Sequence, residues 1–171
     1  MTIQTKIIAT ARLAAQKINL KWRETNYLLL RRGKYVIASG LDESIAGEPR
    51  KLNGGFVNLF DPTLRVQDDI SVTPGSRQFL LDLNAARTGK VQLLASACKA
   101  LLVQHTRKEM TFATEGIDAS PAIVLLESPQ PPRTVTLDGT ALSTFEYSAK
   151  DHLLWIHFEN KAERQDLSVH F

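Results

Sequence analysis

Cysteine occurs once in these 171 residues, at Cys98. An intramolecular disulfide framework is therefore excluded, and so is a Cys-rich structural zinc site, which needs several thiolates. No run of about 18 apolar residues exists, so no transmembrane helix is expected. The N-terminal MTIQTKIIATARLAAQ has neither the continuous apolar stretch nor the small-residue cleavage site of a signal peptide. A Gly-rich phosphate loop, a G-x-S-x-G elbow and an H-E-x-x-H pair are also missing. Tryptophan is scarce, with two residues, so each aromatic ring has to be placed individually.

The net charge of +3 is small, but it is unevenly spread. The first 36 residues carry eight basic side chains against one acid, Glu24; the remainder carries thirteen basic and seventeen acidic residues. A basic segment can contact phosphates or anionic sugars. Here the charges are spaced as on a solvated helix face and a strand edge, and no nucleic-acid motif accompanies them. Neither a nucleic acid nor a membrane is expected as partner.

Residues 6–19 (KIIATARLAAQKIN) place Ile7, Ala11, Ala14 and Ile18 at three- and four-residue steps, the period of one amphipathic helix, with Asn19 as its stop. Beyond it the chain breaks into short apolar runs between turn signals. Asn53-Gly54-Gly55, Thr73-Pro74-Gly75-Ser76 and Asp138-Gly139 are the clearest turns. Ser128-Pro129-Gln130-Pro131-Pro132 cannot join a central ladder and reads as a crossing between sheets. In the final run Leu167, Val169 and Phe171 alternate with Asp166, Ser168 and His170, one dry face and one wet. About eleven strands and one helix indicate a mainly β protein: an antiparallel β-sandwich or jelly roll with one N-terminal amphipathic helix. Residues 1–21 form the helix or linker and residues 22–171 the β-sandwich domain.

Few residues offer chemistry. His105, His152, His157 and His170 all fall on expected strands, and the five-residue step from His152 to His157 points them to opposite faces; no metal or other cofactor is expected. Carboxylates gather at turns, where Asp61 and Asp138 already have structural work. Cys98 reads as a small core residue. In HLLWIHF (152–158) one face carries Leu154, Ile156 and Phe158 and the other Leu153, Trp155 and His157. With both faces apolar, this strand is either buried twice or touches a partner. Sugar rings present apolar C–H faces, and a site for them combines exposed rings with nearby polar groups. Trp155, Tyr27, Tyr35 and Trp22 are the candidate rings. Arg31 and Arg32 are the candidate hydrogen-bond donors, suited to hydroxyls or a uronic carboxylate.

The segments NYLLLRRGKYVIASGLDES, LNGGFVNLFDP and VTLDGTALSTFEYSAKDHLLWIHFENKAERQDLSVHF together resemble the C-terminal β-sandwich accessory modules of bacterial glycoside hydrolases. The resemblance implies a non-catalytic carbohydrate-binding or ancillary module, with an oligo- or polysaccharide and a catalytic glycoside hydrolase domain as partners. Two rival readings stand beside it. The sandwich is a purely structural domain that packs on a catalytic domain or a homo-oligomer partner, or it is a glycan-active enzyme working through carboxylates.

Overall fold

The computed structural model describes residues 3–42 and 47–171. Helix α1 (Ile3–Lys17) follows the expected apolar period. It stops where Asn19 takes φ +54°. The Asn19 N–H donates to the Gln16 carbonyl at 3.1 Å and the Leu20 N–H to that of Ala15 at 2.9 Å, the paired bonding of a Schellman cap. Ile7, Leu13 and Ile18 remain exposed, so the helix stripe covers no core among the described residues.

Five strands follow: β1 (Tyr27–Arg32), β2 (Tyr35–Gly40), β3 (Arg50–Asn58), β4 (Val66–Val72) and β5 (Arg77–Asp82). They form sheet A in the order β1-β2-β5-β3-β4. A single-turn helix α2 (Leu83–Ala86) comes next, then β6 (Gln92–Ser96), β7 (Lys99–His105), β8 (Glu109–Glu115), β9 (Pro121–Glu127) and β10 (Thr134–Leu137). The chain closes with β11 (Thr140–Ala141), β12 (Phe145–Ser148), β13 (Leu153–Glu159) and β14 (Gln165–His170). Sheet B has the order β12-β13-β9-β6 and sheet C the order β11-β10-β14-β8-β7. The ladders between strands are antiparallel.

The expected sandwich is present, with a third layer that the strand pattern did not announce. Leu153 and Trp155 of β13 and Ile123 and Leu125 of β9 pack against Val57, Leu81 and Leu83 from the sheet A side. Their alternate neighbours Leu154, Ile156, Val124 and Leu126 pack against Phe112, Val135, Leu167 and Val169 of sheet C. Sheet B is thus the shared middle layer of two sandwiches. This explains why HLLWIHF is apolar on both faces: a strand covered twice reads as a continuous hydrophobic run even in an antiparallel sheet. The proline segment carries the chain from β9 in sheet B to β10 in sheet C, as a donor-poor stretch outside the ladders should. Asp138 (φ +51°) and Gly139 (φ +76°) form the two-residue hairpin turn after β10, whose left-handed corners match the strand twist.

Three expectations are corrected. Asn53-Gly54-Gly55 does not reverse the chain. It is a bulge inside β3, with Gly54 at φ +128° and a register shift against β4 between Asn53 and Phe56. The bulge bends β3, and the ribbon it makes with β4 curls back so that Leu52, Ile70 and Val72 close on Val36, Ala38 and Leu80. Helix α2 was not expected; the buried Asp82 caps it by accepting the Asn84 and Ala85 N–H groups at 3.0 and 3.4 Å. His152 lies in the turn before β13, at φ +52°, and not on a strand.

In a two-layer sandwich, adjacent strand residues alternate between core and solvent, and truncating one of two neighbours is cheap. Here Leu125→Ala and Leu126→Ala are both expected to cost about 2–5 kcal/mol, read from urea denaturation midpoints. A small effect at either one contradicts double burial.

Candidate functional site

The face of sheet A turned toward sheet B is wider than sheet B itself. Register places Leu28, Leu30 and Arg32 of β1 beside Ser39, Ile37 and Tyr35 of β2, and these beside Arg77, Phe79 and Leu81 of β5. Leu81 is fully buried under sheet B, but Leu28, Leu30 and Ile37 are about half exposed, so the β1 side overhangs. On this overhang three rings form a ridge. Tyr35 and Phe79 have centroids 5.5 Å apart at 38°, and Phe79 and Phe60 6.1 Å apart at 56°. Tilted pairs at these distances are favourable aromatic geometry.

Phe60 is 67% exposed, held out by the turn that follows β3. Its N–H donates to Asn58 Oδ1 at 3.1 Å. Asp61 Oδ1 accepts the Thr63 N–H at 2.9 Å and the Thr63 hydroxyl at 2.7 Å. Those Thr63 bonds, side chain first, hold the Asp61 carboxyl below its ordinary pKa, so it stands as an anion beside the ridge. The ridge separates two hollows. One, of about 320 Å³, is lined by Ile37, Ser39 and Arg77 with the two phenylalanines. The other, of about 400 Å³, is lined by Tyr35, Asp61, Pro62, Leu94 and Ser96. Apolar rings flanked by a guanidinium, a carboxylate and hydroxyls suit a ligand with C–H faces and hydroxyl edges.

The candidate residues scatter around this site. Tyr35 belongs to the ridge, with Arg32 directly across from it and exposed. Trp155 corrects the expectation of an open ring: it is 3% exposed, in the core between sheets A and B. Its indole N–H donates to the Leu64 carbonyl at 3.0 Å. Double burial of β13 leaves it no free face. Tyr27 and Arg31 point to the opposite side of sheet A. Tyr27 packs on the core inside the curl, with the Arg50 guanidinium 6.0 Å from its centroid. Arg31 Nη1 donates to Asp82 Oδ2 at 2.5 Å, so its charge answers the buried capping carboxylate. Trp22 donates its indole N–H to Glu24 Oε1 at 2.5 Å, an oxygen also bound by Arg12 Nε at 2.7 Å. These bonds lower the Glu24 pKa, that from Trp22 most, and tie the segment before β1 to α1. Sequence alone does not single out Phe60 and Phe79, whose alternation is that of core residues; the Phe60-Asp61-Pro62 turn is the local signal of a ring turned outward.

Among the described residues, none at the ridge has the arrangement of a catalytic pair. Ser96 Oγ donates to the Cys98 carbonyl at 2.7 Å, and burial pushes the half-buried Cys98 thiol up in pKa. Among the described residues no group of three His, Cys, Asp or Glu side chains comes together to hold a metal. Among the described residues the most buried carboxylate is that of Glu127, 2% exposed. It accepts the Gln92 side-chain amide at 2.5 Å and the Thr88 and Gly89 N–H groups at 2.9 and 2.8 Å. Burial alone would raise its pKa, but these bonds and the nearby Arg87 charge outweigh that and leave it below the ordinary glutamate value. Glu127 is therefore an ionised anchor for the 88–90 loop, not a proton donor.

No protein-family model matches the sequence, nor does any curated protein. Among solved structures the chain is similar to a GH31 dextranase from Flavobacterium johnsoniae complexed with isomaltotriose, at 6% identity and a TM-score of 0.28, covering 81% of this chain and 26% of that one. It is also similar to a cycloalternan-forming enzyme from Listeria monocytogenes in complex with a pentasaccharide substrate, at 10% identity and a TM-score of 0.27, covering 80% of this chain and 18% of that one. The chain thus spans about a quarter or less of those proteins' length, and overlap at this level establishes no common fold.

Because the folded-state pKa of Glu127 is lowered, its contribution to stability is complete above the ordinary glutamate range and is lost as pH falls through the folded value. Glu127→Gln, which turns one acceptor into a donor facing N–H groups, is expected to cost about 1–3 kcal/mol at pH 7 and to flatten the acid limb of the stability curve. Denaturation from pH 7 to pH 3 checks both; an unchanged acid limb contradicts the anchor role.

Proposed function

We propose that residues 22–171 act as a non-catalytic β-sandwich module that holds an oligo- or polysaccharide against the Tyr35–Phe79–Phe60 ridge, as an ancillary part of a glycan-degrading enzyme. The observation that carries this reading is the exposed Phe60 ring in a tilted stack with Phe79. A ring left two-thirds in water contributes little to the core, yet its turn is fixed by three hydrogen bonds. A pyranose laid on the ridge would cover the rings with its C–H face. Its hydroxyls would meet Arg32 and Arg77 on one side and Asp61 on the other. The rings are preorganised by packing, so little ordering cost is left for binding.

A second reading, that the domain docks on a catalytic domain or another copy, is favoured by a different observation. β1 is an edge strand with Leu28 and Leu30 half exposed, and α1 leaves Ile7, Leu13 and Ile18 uncovered. Open apolar edges are surfaces that proteins usually cover.

Affinity gel electrophoresis against a panel of soluble neutral polysaccharides tests the first reading. Retardation by at least one glycan is expected, and Phe60→Ala should weaken it about fivefold, an aromatic contact of roughly 1 kcal/mol. The unfolding free energy of this variant should stay within about 0.5 kcal/mol of the parent's, as for a surface substitution. No retardation on any glycan removes the saccharide reading. Sedimentation across a wide concentration range tests the second: self-association weakened by Leu28→Ser and Leu30→Ser is expected for a homo-oligomer, and a monodisperse monomer throughout removes it.

A further inference from the structure

Away from the ridge, a groove of about 780 Å³ lies between the 88–90 loop, the β7–β8 turn and the proline segment after β9. Lys90, Arg107 and the imidazole of His105 line it, with Val91, Pro129 and Gln130, and no carboxylate is among its lining residues. Most described cations of the chain stand apart from acids; what distinguishes this place is that one concavity gathers them. Among the described residues, Lys90, His105 and Arg107 have no acidic partner. Cations of one sign gathered in a concavity raise the local concentration of anions.

The three walls are also fixed in place. Glu127 accepts the Thr88 and Gly89 N–H groups from within the protein and so pins the loop that carries Lys90. Thr106 Oγ1 accepts the Lys108 and Glu109 N–H groups at 3.3 and 3.0 Å, closing the turn that carries Arg107. Ser128 donates its hydroxyl to the Gln130 carbonyl at 2.5 Å, and its N–H goes to the His152 carbonyl at 2.8 Å, which sets the third wall. A backbone frame already fixed leaves only the Lys90 and Arg107 side chains to be ordered when an anion binds.

We infer that this groove binds the carboxylate of a uronic acid residue in an acidic polysaccharide. Lys90 and Arg107 supply charge-assisted donors, Val91 and Pro129 an apolar wall for the sugar ring, and Gln130 a polar contact for hydroxyls. A nucleic acid fits less well. Its described lining holds one imidazole, His105, and no Phe, Tyr or Trp for stacking successive bases, and two permanent cations do not track a phosphate backbone. The site shares no residue with the aromatic ridge, so neutral-glycan binding there and acid-glycan binding here can each fail alone.

The test measures binding of the whole chain, at low salt, to polygalacturonate, to its fully methyl-esterified form, to duplex DNA and to inorganic phosphate. Binding to polygalacturonate is expected to weaken as salt rises, to fall about tenfold on esterification, and to fall about tenfold in each of Lys90→Ala and Arg107→Ala. The inference is overturned if polygalacturonate is not bound, if the ester binds equally well, or if the double variant binds like the parent. It is also overturned if duplex DNA binds more tightly, or if inorganic phosphate at equal anion concentration competes fully, which would leave a generic anion site.

Discussion

Sheet B must exclude water from both of its faces at once, and the other two sheets are arranged by that requirement. β9 and β13 pair along their whole length, from Leu153 against Glu127 to Glu159 against Pro121. Their side chains alternate between a core shared with sheet A and one shared with sheet C. Neither flanking sheet could be removed without exposing a row of Leu, Ile and Val to water. Each buried side chain of that size contributes about 1.5–3 kcal/mol on burial, so the middle layer couples the stability of the outer two.

The proposed binding surface follows from how that cover is cut. Sheet B ends before sheet A does, and the strip of sheet A beyond its edge carries Tyr35, Ile37 and Phe79 with Phe60 beside them. Rings that would be core residues under a wider sheet become a ridge, Tyr35 and Phe79 half-buried and Phe60 exposed. The buried Glu127 works in the same way at another place. Its carboxylate is held in the interior by two backbone N–H groups and an amide, and the loop it fixes presents Lys90 to solvent. In both cases interior packing supplies the rigidity that a binding surface needs.

Much of the architecture was legible in local pattern. The period-two alternation of β14, the Asp138-Gly139 hairpin, the Pro74-Gly75 turn and the crossing role of the proline segment needed only short-range rules. The double apolar face of HLLWIHF was visible too, but its cause was not, since a buried middle sheet and a partner-facing strand share one pattern. Asn53-Gly54-Gly55 shows the limit of turn chemistry: the same glycines serve a bulge when a long partner such as β4 continues the ladder past them. The candidate site was the least legible part. Strand alternation pointed to Trp155, on the second face of HLLWIHF, whereas exposure depends on where one sheet stops covering another. That boundary is set by register between strands far apart in sequence.

Amide hydrogen exchange followed residue by residue tests the middle layer most directly, because it ranks strands by the opening each needs to meet solvent. The amides of Val124–Leu126 and Leu154–Ile156 are predicted to exchange only through global unfolding, slower than those of the edge strands β1 and β7. Exchange in β9 and β13 as fast as in those edges would contradict a sheet sealed on both faces.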